Sequence, residues 1–346
     1  MRPPVDQPCQ HESAGPCGVS LVSLMPHRRP PTARLARSRL RGRRSATDQQ
    51  PPCDHPNSRP AAAHCTRCGR PICSDCAHLQ RLEQLCPQCA HRPGRNPDRF
   101  IRDLLRGQWP LTVGLLAVNI ALLLIAGVRS RADGPFLAGS VLEPGGYQLC
   151  KLGGLSAAAI AQHRQYCRLL TSAGLHLNVL HLAYNSLALL YFGPALEDAL
   201  GPLRFLALYV GAGIAGSAAS YTIDHPLLGL GASGAIYGVG GALLEFFWRR
   251  RAVTGSVWTL TATILLLSLG LGVLTPHVGA TAHLGGLLTG LVAMTLLDAG
   301  FQQRRRWLSV AALGVPLLLT AGLVVIGTAT FAQTSAFSPC PMAPTS

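Results

Sequence analysis

Ser233 and His283 are the two residues of this 346-residue chain whose chemistry packing alone explains least. Each stands near the start of an apolar stretch. Gly231, Ala232, Ser233 and Gly234 lead one, and Ala282, His283, Leu284, Gly285 and Gly286 lead the other. A serine hydroxyl is a weak nucleophile at neutral pH until an adjacent base takes its proton, and histidine is the commonest such base. A third stretch opens with His176, His181 and Asn185, of which the last two are four apart and share one helical face. The Asn185 amide, His181 and the backbone N–H of Ser233 are the available donors for a developing oxyanion. Nucleophile, base and oxyanion donors together describe acyl transfer. No carboxylate is expected in these stretches to act as a third member, so the arrangement would be a dyad. Each residue taken singly has a plainer account. A serine in an apolar helix is ordinarily a packing residue, and His181 and Asn185 can serve simply as interhelical hydrogen-bond partners.

The stretches that carry these groups read as membrane spans. The chain is 48% hydrophobic with a mean hydropathy of +0.28, which excludes an ordinary soluble protein. Between Pro110 and Phe331 it alternates apolar runs with short polar loops. Spans are expected at 110–128, 176–193, 203–222, 232–248, 257–275, 280–298 and 308–331, with a long insert at 129–175. The first apolar run begins too late for a cleavable signal peptide. Ionisable groups are costly in hydrocarbon, so those within spans mark a site.

Charge orients the spans. Residues 1–109 hold 18 Arg against 8 Asp and Glu, a basic front that nucleic acid, anionic lipid or cytoplasmic anchoring would each explain. Arg92, Arg95, Arg99, Arg102 and Arg106 precede the first span, Arg249–Arg251 follow the fourth and Arg304–Arg306 follow the sixth. A cytoplasmic N-terminus puts all three clusters inside and leaves the C-terminus outside. Arg129, Arg131, Lys151, Arg164 and Arg168 in the insert oppose this topology but are outweighed. The second, fourth and sixth spans then all enter from the outer face, so their polar residues share one depth. Gly234/Gly238 and Gly286/Gly290 are four-residue glycine repeats that let the fourth and sixth helices approach closely.

A different chemistry precedes the spans. Residues 1–50 are rich in Pro, Arg and Ser and read as a disordered basic tail. Residues 53–91 form a small module with Cys53 and His55, then the pairs Cys65/Cys68, Cys73/Cys76 and Cys86/Cys89. Cys-x2-Cys knuckles in a reducing compartment suit structural zinc, which would supply stability that so short a segment lacks. Eight ligands suggest two ions, and His64, His78 or His91 can substitute in the less regular first pair. Residues 92–109 are a basic juxtamembrane linker.

His-x4-His-x3-Asn, Gly-x-Ser-Gly and Ala-His-x-Gly-Gly occur in the order, and on the helices, of rhomboid proteases, and residues 110–300 resemble that family. The resemblance implies an all-α polytopic membrane protein with a six-helix core, here with a seventh helix in 301–346. It implies an intramembrane serine endopeptidase that cleaves transmembrane segments of single-span proteins in the lipid bilayer, with no cofactor for catalysis. Ser233 and His283 would be catalytic, with His181, Asn185, Gly231 and Tyr237 at the oxyanion and substrate site. Tyr237 would stack on the catalytic imidazole, while His176, Arg168 and Gly286 would be structural. The family's usual Trp before that arginine is Cys167 here. The cysteine module resembles a B-box, as in some bacterial rhomboids. That pairing joins Cys53/His55 to Cys73/Cys76 and Cys65/Cys68 to Cys86/Cys89. A cytoplasmic protein is the expected partner of this module, rather than nucleic acid. A plasma (inner) membrane location follows. Inactive relatives lack the serine or the histidine, and both are present. An oxidising exterior also permits a disulfide between Cys150 and Cys167.

Overall fold

Proline, glycine and a few polar caps divide the apolar sequence into helices. The computed structural model describes residues 61–80, 83–90, 107–132, 141–274, 279–303 and 305–331. Pro110 opens α1 (Pro110–Ala132) and Pro202 opens α6 (Pro202–Ile223), a position where proline's missing N–H has no helical partner to lose. Asn178 caps α5 (Val179–Leu200) by accepting from the His181 N–H at 2.8 Å. Gly201, at φ +80°, then ends α5 and lets α6 begin one residue later. The remaining long helices are α7 (Ser233–Arg249), α9 (Val257–Leu274), α10 (Ala280–Gln302) and α11 (Arg306–Phe331), with the single turn α8 (Arg251–Thr254) between α7 and α9.

All seven expected spans are helices, with shifted bounds. The second starts three residues later than read, at the Asn178 cap, and runs on through Pro194 to Gly201. Five of the seven, α1, α5, α6, α10 and α11, are long and apolar enough to cross a membrane. Helix α7 has 17 residues, about 26 Å at 1.5 Å per residue, slightly under the hydrocarbon thickness. It sits at the centre of the bundle, buried along most of its length against α6, α10, α5 and α9. A helix so enclosed is covered by protein rather than lipid.

The closest approach in the bundle is between α7 and α10. A Cβ on Gly286 would collide with the Gly234 carbonyl, and one on Gly290 with that of Gly238. A Cβ on Gly216 of α6 would come within 2.6 Å of the Ala282 carbonyl. The glycine repeats therefore do what their spacing predicts: backbone lies on backbone, and no side chain there fits.

The insert is compact. Helix α2 (Gly146–Lys151) packs against α1, while α3 (Ala157–His163) and α4 (Arg168–Thr171) pack beside α6 and the end of α11. Arg168 is buried and donates to the carbonyls of Cys150 at 2.7 Å and Gly154 at 2.6 Å, and to Gln165 Oε1 at 2.7 Å. It tethers the turn between α2 and α3. The Cys150–Cys167 disulfide that an oxidising exterior would permit does not form: Cys167 is a free, exposed thiol directly before α4, whereas Cys150 is buried on α2 and disulfide-bonded elsewhere.

Ahead of the helices lie two antiparallel hairpins, β1 (Ala63–His64) with β2 (Pro71–Ile72), and β3 (His78–Gln80) with β4 (Glu83–Leu85). Their core consists of Ile72, Leu85 and buried cysteines.

Candidate active site

Three helix starts converge. Ser233 is the first residue of α7, His283 the fourth of α10 and His181 the third of α5. Ser233 Oγ lies 2.8 Å from His283 Nε2, a hydrogen bond across 50 residues of chain. The far nitrogen of that ring, Nδ1, is buried and meets no partner among the described residues. Two carboxylates do lie on these helices, contrary to the sequence reading: Glu245 on α7 and Asp298 on α10. They stand about 18 and 22 Å along the helix axes from Ser233 and His283, too far to complete a triad.

The imidazole of His283 is held flat. The Tyr237 ring, one turn along α7 from Ser233, stacks on it with centroids 4.4 Å apart and planes 17° from parallel. Tyr237 is itself anchored by its hydroxyl, which donates to Ser268 Oγ on α9 at 2.7 Å. Sequence reasoning passed over Ser268, since a serine within an apolar span carries no signal of its own.

On the facing side, Gly231 sits at φ +115°, and a Cβ there would come within 2.8 Å of the His181 ring and 3.7 Å of Asn185 Nδ2. Only glycine satisfies both the backbone and the space. Its N–H donates to the Ser172 carbonyl at 3.0 Å, which fixes the approach to Ser233. Asn185 donates one amide hydrogen to the His181 carbonyl at 3.1 Å. His176 is fully buried, its Nδ1 donates to the Gly174 carbonyl at 3.2 Å, and its ring meets His181 edge-on at 5.2 Å. Ser233, His283, Tyr237, Gly231, His181 and Asn185 thus share one site, with His176 behind it. Arg168 and Gly286 lie in supporting contacts, Arg168 within the insert and Gly286 between α7 and α10.

Cys65, Cys68, Cys86 and Cys89 also converge, with all four sulfurs within 4.8 Å of one another. Tetrahedral zinc with sulfur at about 2.3 Å requires sulfurs about 3.8 Å apart, and Cys68 and Cys86 are 3.7 Å apart. Burial opposes ionisation of Cys65. The N–H groups of Cys68, Cys86 and Arg67 outweigh it and bring the thiol to about 6, in the range of a thiolate at neutral pH. Burial and the neighbouring thiols push Cys89 up. Such a cluster fits a bound cation. Cys73 and Cys76 are buried in the same small core, while Cys53 and His55 lie outside the described residues.

This bundle defines a polytopic membrane protein with a serine–histidine pair in its interior. Residues 163–299 match the Rhomboid domain. YdcA of Bacillus subtilis is 35% identical over 144 residues, 41% of this chain and 71% of that protein. The rhomboid protease GluP of Bacillus subtilis is 39% identical over 150 residues, and RHOMBOID-like protein 1 of Arabidopsis thaliana 32% over 161. The matches cover 43% and 46% of this chain and only 29% and 41% of those two proteins. The chain belongs to the rhomboid family.

Proposed function

We propose that the protein is an intramembrane serine endopeptidase that cleaves transmembrane segments of other membrane proteins through a dyad of Ser233 and His283. The observation that carries this reading is the 2.8 Å hydrogen bond between the two, inside a membrane bundle of this family. His283 Nε2 takes the Ser233 proton as Oγ bonds to the scissile carbonyl carbon. The negative charge moves to the carbonyl oxygen, where the Ser233 N–H, the second amide hydrogen of Asn185 and His181 receive it. The C–N bond breaks as His283 returns the proton to the leaving amine. Water, deprotonated by the same nitrogen, then releases the acyl group and restores Ser233. Tyr237 keeps the imidazole in plane, Gly231 leaves room for substrate, and His176, Arg168 and Gly286 hold the surroundings. A helical substrate hides its carbonyls in hydrogen bonds, so single-span substrates must unwind locally before attack.

Arginine placement supports a plasma (inner) membrane topology with the N-terminus in the cytoplasm and the C-terminus outside. The four clustered cysteines support one structural Zn2+. A second would take Cys53, His55, Cys73 and Cys76, and a cytoplasmic protein would be the module's partner. The domain limits follow: 53–91 for the module, 110–300 for the protease core and 301–346 for the seventh helix and outer tail.

A fluorophosphonate probe tests the catalytic reading. It should label the parent protein and spare Ser233→Ala, and a Ser233→Ala variant that still cleaves a model substrate overturns the assignment.

A further inference from the structure

The cysteine module does not hang free of the bundle. Leu79, on β3, packs against the large hydrophobic core of the membrane helices, and β3 lies against α5. The hairpin that presents Leu79 is bracketed by cysteines: Cys76 stands two residues before β3, and Cys86 directly follows β4. Its register, His78 opposite Leu85 and Leu79 opposite Gln84, ties the strand that meets the bundle to a residue buried among the thiols. A module this small draws its folding stability largely from its metal. Whatever holds the thiols therefore also holds Leu79 in place.

The helix that receives β3 also forms a second junction. Near the Leu200 end of α5, buried Glu197 accepts from the N–H groups of Leu111 and Thr112 at 3.1 and 3.0 Å and from the Thr112 hydroxyl at 2.7 Å. This carboxylate satisfies the first turn of α1 from a neighbouring helix. Leu196, Ala199 and Leu200 belong to the core that Leu79 joins, with Leu111 beside them. The same helix α5 carries His181 and Asn185 at its other end.

We propose that metal binding by the cysteine module is coupled to the membrane bundle through Leu79, making the module a metal-dependent anchor for the α1–α5 junction. The proposal rests on the reading of Cys65, Cys68, Cys86 and Cys89 as a metal site. The anchor acts on the stability of the bundle rather than on the chemistry at Ser233.

All four tryptophans, Trp109, Trp248, Trp258 and Trp307, lie in or next to the membrane helices and none lies in the module. Intrinsic fluorescence on heating the full chain in detergent therefore reports the bundle alone. Zinc content is measured in parallel by elemental analysis. Stripping the metal with a chelator should lower the fluorescence midpoint by roughly 3 °C or more, a shift of the size that loss of one modest contact produces. Leu79→Ser should show the same drop while keeping its zinc, and chelation should then add nothing further. An unchanged midpoint after complete loss of zinc overturns the coupling. A parent-like midpoint in Leu79→Ser, with the chelator effect intact, overturns the route through Leu79. Protein that binds no zinc when supplied with it defeats the metal-site reading itself, whereas Leu79→Ser then still tests the contact. Cleavage well below the midpoint should stay within about twofold of the parent in every zinc-free sample, and loss of Ser233 labelling there would place metal in the chemistry and sink the anchor.

Discussion

Helices α7 and α10 meet at both ends, and the two ends are built from opposite materials. Near Ser233 and His283 the contact is backbone on backbone, with Gly286 against Gly234 and Gly290 against Gly238, and the polar links are neutral. At the other end the contact is ionic. Arg250, directly after α7, donates to buried Asp298 of α10 at 2.6 Å, and Gln302, one turn further along α10, donates to the same carboxylate at 2.8 Å. Arg250 and Asp298 are both almost fully buried. The difference follows from what each end does. The Ser233–His283 hydrogen bond needs the two helices close together at that end, and side chains at the facing glycines would hold them apart. Glycine contacts hold the helices at that end without adding charge. The far end has no chemistry to protect, and a buried pair there fixes the register of the two helices.

If that division is right, substitutions at the two ends should separate rate from stability. The largest effect is expected at the dyad. Ser233→Ala or His283→Ala should lower cleavage of a single-span substrate by more than about 10⁴-fold, because the two act as one unit. The unfolding midpoint should stay near the parent's, and a large fall in it would show that the pair is structural. Asp298→Ala should do the reverse. It strands a buried guanidinium, which costs about 3–5 kcal/mol of stability. Fluorophosphonate labelling of Ser233 well below the midpoint should change by only a few fold, and a collapse of labelling with stability intact would erase the contrast between the ends.

Smaller effects refine the picture near the dyad. Asn185→Ala should reduce turnover by about 10- to 10³-fold, the scale of one lost oxyanion donor. Unchanged turnover with lowered stability would make Asn185 a packing residue. Tyr237→Phe keeps the ring on His283 but loses the bond to Ser268. It should cost about 1 kcal/mol, visible as a modest shift in unfolding and less than about a tenfold change in rate. A larger loss would mean that the hydroxyl, and not the ring face, aligns the imidazole.

The chain itself made much of this legible. Polar residues inside apolar runs are rare enough to be conspicuous, so Ser233, His283, His181 and Asn185 could be selected by type. The glycine repeats announced the close contact between α7 and α10 by spacing alone. The Cys-x2-Cys knuckles likewise marked a module that could hold a metal ion, and the proposed pairing of Cys65/Cys68 with Cys86/Cys89 agrees with the cluster that forms.

Other features were hidden because they depend on distant partners. Glu197 lay beyond the expected end of its span, and nothing in its neighbourhood indicated that it would cap a helix 85 residues earlier. Glu245 and Asp298 were missed on the very helices searched for a third catalytic member. Cys150 and Cys167 looked pairable by side of the membrane, yet Cys150 on α2 is buried and Cys167, just before α4, lies at the surface. Leu79 is one leucine among many, and its role follows only from where a hairpin comes to rest. Residue type and period therefore determined the helices, the candidate reacting groups and the approach of two backbones, since local sterics and the solvent each residue tolerates suffice for these. Which nitrogen faces which oxygen, which carboxylate serves which helix and what the module touches were decided only by tertiary packing, because each joins atoms whose separation along the chain carries no information about their distance in space.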